Sequence, residues 1–447
     1  MKHINPPRAV YIVFTLVILL GGVLLHLPYS SNSLTPIPWL DAMFTSTSAI
    51  CVTGLTVIDP GTDLSLFGQA IMFVLIQLGG IGIMTVSGFL FLLMRKNIGL
   101  RGRMIVAQER SDDVTGGIAK LIIKIFLFTI SIETIGAFLL FWRLDGWHSN
   151  RPLHMLFFSF FHAVSAFCNA GFSLLSNSLI SFYGRFDINI IIMLLIIFGG
   201  LGYPVLSSLL RSFKSMLYRR GKLKRKLDLH SRTVIYTSFW LVILGAIGIY
   251  LIEFSYIRGS EFSFHNFLAS AFQAISARTA GFSTLETAHL GQATLFFLCA
   301  LMFVGASPAS TGGGIKTTSL AIIISAIRSF FLGLQEVSLF KRNIQQRVIR
   351  QAFVILTFSV TWVFLMTLIL CITDPNHRLM DLLFECVSAY ATVGLSTGIT
   401  VELSVYGRFV IAISMLVGRL SAVTLLMSMT MRQNVPNYRY PDEKILL

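Results

Sequence analysis

The chain has 447 residues, a formal net charge of +15, and a composition that is 55% hydrophobic and only 12% charged. With a mean hydropathy of +0.77 it is too apolar for a water-soluble protein and reads as a polytopic membrane protein. Its positive charge does not point to nucleic acid, because the Lys and Arg residues fall in short stretches between apolar runs, where positive-inside topology accounts for them.

The first apolar run, Ala9–Leu27, follows Lys2 and Arg8. At about 19 residues it exceeds the h-region of a signal peptide, and no small-x-small cleavage site follows, so we expect a retained transmembrane helix. From there the runs repeat as long, short, long. Ala9–Leu27 is followed by Trp39–Ile50 and Phe67–Met94; Ala119–Trp142 by Leu153–Phe167 and Ile188–Leu210. Thr233–Ile257 is followed by Phe264–Ala277 and Thr294–Ile327; Ala352–Ile372 by Leu379–Tyr390 and Phe409–Met431. The long runs suit spanning helices of about 20 residues and the short ones suit re-entrant segments. Re-entrant backbone is tolerated only where protein or a watery pathway surrounds it. The expected fold is therefore an all-α polytopic membrane protein with eight transmembrane helices and four re-entrant pore helices. Its units are residues 1–110, 111–228, 229–345, and 346–447, the last including a cytoplasmic tail.

The linkers between units are basic: Arg95 to Arg110, Arg211 to Arg232, and Arg328 to Arg350. They should be cytoplasmic, with both termini. The short runs then enter from outside, where Asp59, Asp63, Asp187, Glu286 and Glu402 either concentrate cations at a mouth or are ordinary solvated loop acids.

After each short run the chain turns through a glycine, within a motif that starts Ser-Ala and ends Gly-apolar. The turns read Val52-Thr53-Gly54-Leu55, Asn169-Ala170-Gly171-Phe172, Thr279-Ala280-Gly281-Phe282 and Thr392-Val393-Gly394-Leu395. The third is one residue shorter between Ser and Gly and carries Arg278. Thr-Val-Gly suits an extended backbone whose carbonyls face an ion, because Val favours extension and Gly permits torsions that a Cβ forbids. Four such loops around an axis would replace a hydration shell with carbonyl oxygens, aided by the partly negative helix C-termini. No acidic residue lies in the four motif cores, which suits a monovalent cation better than calcium. The alternative reading of each glycine is a helix-terminating turn.

Two features depart from symmetry. The second long run of the third unit is interrupted by Gly305 through Pro308 to Ser310, Thr311, Gly312, Gly313, Gly314, Ile315 and Lys316. Pro308 and three glycines should break a helix, leaving a mobile loop under the filter that acts as a gate. A phosphate-loop reading fails, since Lys does not directly follow the last Gly and no strand precedes. The equivalent places elsewhere read Gly79 to Gly82, Gly199 to Gly202, and Gly418-Arg419-Leu420-Ser421. Arg419, mid-run in the last helix, is costly in a membrane. It either forms an electrostatic barrier beside the gate loop or pairs with Glu385 or a loop carbonyl. Glu385 needs a partner, and shared depth suggests Arg278.

The five cysteines form no C-x-x-C or metal spacing and read as small buried residues. No H-E-x-x-H motif is present, so the chain does not read as an intramembrane enzyme. The units share one orientation, unlike the inverted repeats of many secondary transporters.

The four motif glycines, Arg278 to Phe282, Gly305 to Pro308, Gly314 to Thr317, and Arg419 resemble the Trk/Ktr/HKT superfamily of potassium transporters over nearly the whole chain. With no additional N-terminal helix pair, the chain looks more like the KtrB branch of bacterial membrane subunits than the longer TrkH branch. The resemblance implies four membrane–pore–membrane repeats around one pseudo-fourfold pore in the bacterial cytoplasmic membrane. It implies potassium uptake, often promoted by sodium, with no organic cofactor, and a homodimer working with a cytosolic KtrA-like nucleotide-binding regulatory ring. It makes Gly54, Gly171, Gly281 and Gly394 filter glycines, Ser310 to Lys316 an intramembrane gate loop, and Arg419 the opposing basic residue. Glycine in all four filters resembles potassium-selective members, whereas some sodium-selecting plant relatives carry Ser in the first. Asn169, and Ala before the glycine in repeats two and three, depart from the pattern.

Overall fold

The structure is a computed structural model that describes residues 6–82, 118–149, 151–218 and 227–420. The basic stretches from Arg95 to Arg110 and from Arg219 to Lys226, and the C-terminal parts of the runs ending at Met94 and Met431, lie outside the described residues.

Helices occupy the apolar runs. The first unit contains α1 (Pro6–His26), α2 (Trp39–Cys51) and α3 (Leu66–Ile81); the second, α4 (Ile118–Arg143), α5 (Pro152–Phe167) and α6 (Phe186–Tyr218). The third contains α7 (Leu229–Ile249), α8 (Phe264–Ser276), α9 (Gln292–Phe303) and α10 (Thr317–Phe331). The fourth contains α11 (Gln346–Thr373), α12 (Leu379–Ala391) and α13 (Val405–Leu420). Among the described residues, four stretches are long and apolar enough to cross a membrane: 123–143, 186–213, 229–257 and 346–373. Large apolar side chains such as Leu20, Ile135, Leu244 and Phe364 remain exposed on outer faces, as lipid-facing surface requires.

The short helices sit inside. α2, α8 and α12 have 13 residues each, about 20 Å of helix, too short for a bilayer core of about 30 Å. In all four short helices, α5 included, the last five residues are buried, Ala49, Ala166, Ala274 and Ala389 among them, so these ends lack a solvent-facing stripe. Between units the packing is cyclic. α3 meets α5, α6 meets α8, α9 meets α12, and α13 returns to α2. Arg408 on α13 closes the circle with a 2.5 Å ion pair to Asp41 on α2.

The glycines of the second long helices have a packing reason. A Cβ at Gly79 would collide with the Ile50 carbonyl, at Gly199 with that of Phe167, and at Gly418 with that of Tyr390. Each of those carbonyls lies four residues before a motif glycine, so the outer helix presses its backbone onto the end of the short helix. At the outer edge, buried Glu253 accepts from the Gly291 N–H (3.1 Å) and the Thr294 hydroxyl (2.8 Å). Asp374 accepts from the Ser404 N–H at 2.6 Å. These carboxylates join the end of one long helix to the start of the next.

The structure adds three things to the sequence reading. Helix breaking is not confined to the third unit: Gly202 interrupts α6 at φ 76°, ψ 159° two residues before Pro204, and Gly82 follows α3 at φ 85°. The run Thr233–Ile257 changes from α-helix to π-helix at Tyr250. A small antiparallel hairpin, β1 (Ser338–Leu339) and β2 (Arg342–Asn343), corrects the purely helical expectation. Phe340 and Lys341 turn it with positive φ, as a tight hairpin requires, and the Arg232 guanidinium lies 5.0 Å from the Phe340 ring.

Replacing Gly199 with Ala should cost roughly 1–3 kcal/mol, the range for overpacking a tight contact. Gly184→Ala should be silent, since its Cβ would meet nothing nearer than 3.5 Å. Melting temperatures of the two variants in detergent would check the contrast.

Candidate functional site: a glycine ring and the loop beneath it

Each short helix ends in the same local geometry. In the first, Val52 is left-handed (φ 55°), its N–H donates to the Ala49 carbonyl and the Thr53 N–H to the Ser48 carbonyl. This is a Schellman ending, in which the left-handed residue is usually Gly. The second and fourth repeat it, with Asn169 (φ 59°) and Thr392 (φ 53°) and bonds from Ala170 to Ser165 (2.7 Å) and Val393 to Ser388 (2.8 Å). In the third, Thr279 (φ 75°) holds the same place and Ala280 still bonds to Ser276 at 2.8 Å. The missing residue is absorbed at the helix end. The sequence reading expected extended backbone here; the structure bends it first, and β-branched Val52, Thr279 and Thr392 in the left-handed region are strained.

Two residues on, the glycines come together. All four have positive φ, from 71° to 94°. A Cβ on Gly54 would lie within 2.7 Å of the Ala170 carbonyl oxygen, and on Gly171 within 2.7 Å of that of Ala280. Gly281 stands likewise against the Val393 carbonyl and Gly394 against that of Thr53. The order closes on itself, one glycine per unit, each beside the carbonyl preceding its neighbour's glycine. A side chain at any of the four positions would wedge the ring apart. The side chains of Leu55, Phe172, Phe282 and Leu395 are buried, and at the glycines themselves the ring presents only backbone.

Above the ring opens a cavity of about 500 Å³ that touches Gly54, Gly171, Gly281 and Gly394. Of the five loop acids expected at a mouth, only Asp59 and Glu286 reach it. Asp187 pairs instead with Arg185 at 2.9 Å, and the Asp63 carboxylate accepts from the Asp59 N–H at 2.9 Å.

The four motif serines, all fully buried, pin the ring in two ways. Ser48 and Ser388 accept the N–H of Gly54 (3.1 Å) and Gly394 (3.0 Å). Ser165 donates to the Phe172 carbonyl at 2.7 Å, and Ser276 to that of Phe282. Two quarters thus anchor the glycine amide, and two engage the carbonyl just beyond the glycine.

Below the ring runs the break between α9 and α10, closed at its neck by pairing of Val304 with Ile315. The loop touches the second, third and fourth units. Gly313 N–H donates to the Thr392 hydroxyl at 2.9 Å. A Cβ on Gly312 would strike the Thr279 hydroxyl. Ser307 N–H reaches the Gly200 carbonyl at 3.2 Å and the Thr311 hydroxyl the Phe167 carbonyl at 3.4 Å. Ser310 folds back onto Ser307 at 2.6 Å, and Lys316 donates to the Gly312 carbonyl at 2.7 Å. Gly314 has φ 66°. Three consecutive glycines are needed because the loop lies against side chains and backbone on both sides.

Arg419 binds this loop. Its guanidinium donates to the Thr311 carbonyl and to the Gly79 carbonyl on α3. Of the partners expected for it, the structure supplies the loop carbonyl. The expected Glu385–Arg278 pair is absent, because each finds nearer partners. Glu385 accepts from the Ser396 hydroxyl, the Thr397 N–H (3.2 Å) and the Thr400 hydroxyl (2.9 Å), and Arg278 donates to Ser238 at 3.1 Å. Asn169, oriented by its partners, donates to the carbonyls of Ala166 (3.0 Å) and Ile196 (3.2 Å) and accepts from the Thr279 hydroxyl (3.2 Å). It therefore braces two quarters where they meet. Sequence reasoning missed Glu133, a buried carboxylate in α4 that accepts from Gln77 at 2.9 Å and lies 3.6 Å from the Cys168 sulfur. An acid inside an apolar run was the available signal.

Thr392→Val should be tolerated, since Val52 already adopts the same torsions in the first unit. It removes the acceptor of the buried Gly313 N–H, a loss of roughly 1–3 kcal/mol. Faster amide hydrogen exchange across residues 304–316, with unchanged exchange in α12, is the expected result.

The family model of the TrkH cation transport proteins matches residues 8–438. The chain is 37% identical over 446 residues to the Ktr system potassium uptake protein B of Bacillus subtilis (strain 168), spanning 99% of this chain and 96% of that one. It is 34% identical over 455 residues to the potassium/sodium uptake protein NtpJ of Enterococcus hirae, spanning 100% and 98%. In fold it resembles the crystal structure of the potassium transporter TrkH from Vibrio parahaemolyticus, with TM-score 0.73, 21% identity, and 96% and 86% of the two chains covered. The chain belongs to the TrkH cation transport protein family.

Proposed function

We propose that this chain is the membrane-embedded, ion-conducting subunit of a bacterial potassium uptake system. The observation that carries the reading is the closed ring of four glycines between an outer cavity and an inner loop. Its backbone oxygens offer a cation a partial replacement for its water. Relatives named for potassium uptake support the choice of ion.

In this reading eight helices cross the bacterial cytoplasmic membrane, and α2, α5, α8 and α12 enter from outside around one pseudo-fourfold pore. The four units at 1–110, 111–228, 229–345 and 346–447 each supply one quarter, and both termini face the cytoplasm. Residues 52–55, 169–172, 279–282 and 392–395 select. Residues 310–314 with Lys316 form the gate, and Arg419 latches it by holding the Thr311 carbonyl to the end of α3. The chain transports and does not catalyse. A homodimer in membrane lipid and a KtrA-like cytosolic nucleotide-binding ring complete the assembly. The Ktr names of its relatives, which denote a system, support a multi-component complex.

A second reading, sodium permeation or sodium coupling, is favoured by the similarity to a potassium/sodium uptake protein. Rubidium flux into vesicles holding the purified protein, with sodium competing and with or without a membrane potential, separates the two. Potassium uptake predicts rubidium entry that sodium blocks weakly; equal block by sodium favours the second reading. No flux in protein inserted together with its regulatory ring would reject both. Gly54→Ser, which puts a side chain against the Ala170 carbonyl, should raise sodium entry. Deleting residues 310–314, or Arg419→Ala, should raise rubidium flux severalfold without changing ion preference.

A further inference from the structure

Nine residues before the motif glycine, each short helix carries a polar side chain: Thr45 (54 − 9), His162 (171 − 9) and Glu385 (394 − 9). In the shorter third motif the interval is eight, at Gln273 (281 − 8). All four are buried, none more than 2% exposed. Polar groups in such apolar helices are costly unless they are bonded. Three of them bond to the same place, the hydroxyl two residues beyond the glycine. His162 Nε2 lies 3.0 Å from Ser173 Oγ, Gln273 Oε1 accepts from Ser283 at 3.2 Å, and Glu385 accepts from Ser396.

The three serines also share a second task. Each accepts the N–H of the residue two positions further on: Leu175 to Ser173 (3.0 Å), Leu285 to Ser283 (3.2 Å) and Gly398 to Ser396 (2.8 Å). The serine therefore fixes the turn by which the chain leaves the ring, and the helix residue fixes the serine. His162 Nδ1 faces the Phe158 carbonyl at 2.9 Å, so that nitrogen holds the proton and Nε2 is the acceptor. The first quarter differs. Thr45 is shorter, and its hydroxyl is buried without a partner.

We propose that Glu385, His162 and Gln273 are positioning residues for ion selection. Each ties the strand leaving the glycine ring to the helix entering it, in three quarters of four, and so fixes the spacing of the ring's carbonyls. None touches the ring itself. Carbonyls held apart suit a larger ion, whereas carbonyls free to move inward also accommodate a smaller one. Releasing a tie therefore favours sodium. Glu385 has the strongest tie, a carboxylate taking three bonds.

This inference rests on the ring being the selectivity filter, and the test separates the two claims. Rubidium uptake with competing sodium is measured in vesicles for Glu385→Leu, Glu385→Gln, Ser396→Ala and the Glu385→Leu/Ser396→Ala double variant, alongside Gly54→Ser. Inserted protein is quantified for each. The expected result is that sodium competes roughly five- to tenfold better in Glu385→Leu and Ser396→Ala, the size of one lost hydrogen bond of ordinary strength. Glu385→Gln, which keeps an acceptor for Ser396, should restore most of the preference. The double variant should be no worse than either single one, since both cut one tie. Should Glu385→Leu fail to insert, Ser396→Ala and Glu385→Gln decide by the same criterion. If Gly54→Ser shifts competition while the inserted Glu385 and Ser396 variants do not, the positioning role is overturned and the filter stands. If none of the inserted variants shifts competition, the filter reading falls and the positioning role with it.

Discussion

Everything at the centre of this molecule depends on backbone approaching backbone without side chains between. Four short helices stop at one level, each turned by a left-handed residue, and four glycines then stand beside their neighbours' carbonyls. A single Cβ would occupy the space that the adjoining oxygen fills. The same constraint recurs one layer out, where Gly79, Gly199 and Gly418 let the long helices lie on the ends of the short ones. It recurs below, where Gly312 and Gly313 pass between threonine side chains. Glycine here serves close approach more than flexibility, and the strain at Val52 and Thr392 is sustained by burial on every side.

Much of this was legible in the sequence. Run lengths placed the helices within one to three residues at most ends, because hydrophobic runs in such a chain are bounded by charge and by Gly or Pro. The Ser-Ala start and the glycine end revealed the repeat, and the structure supplies the reason for the serine: it pins the ring. Pro308 and the glycines announced the broken helix. What was not legible arises from contacts across repeats. No local pattern says that Arg419 will lie between Thr311 and Gly79, which are 108 and 340 residues away. Shared depth suggested Arg278 for Glu385, but depth says nothing of azimuth, and hydroxyls on the same strand were nearer. The π-helical end of α7 and the hairpin after α10 are likewise set by tertiary packing.

The quarters are alike in backbone and unlike in side chains. Serine anchors an amide in the first and fourth and a carbonyl in the second and third. Asn169 bridges the second to the third, and among the described residues only the third sends a loop beneath the others. A single polypeptide can vary one quarter without altering its counterparts, which a ring of four identical subunits cannot do. The glycine ring and the loop beneath it are thereby built from residues that can change independently.

The pair between Arg408 and Asp41 spans 367 residues of chain, and it joins the last unit to the first. Its consequence concerns assembly during synthesis. Until α13 is made, α2 lacks the helix it packs against on that side. Closure is therefore a late event, governed by contacts between residues far apart in the chain. A ribosome that stops within the fourth unit leaves an arc with an unsealed flank.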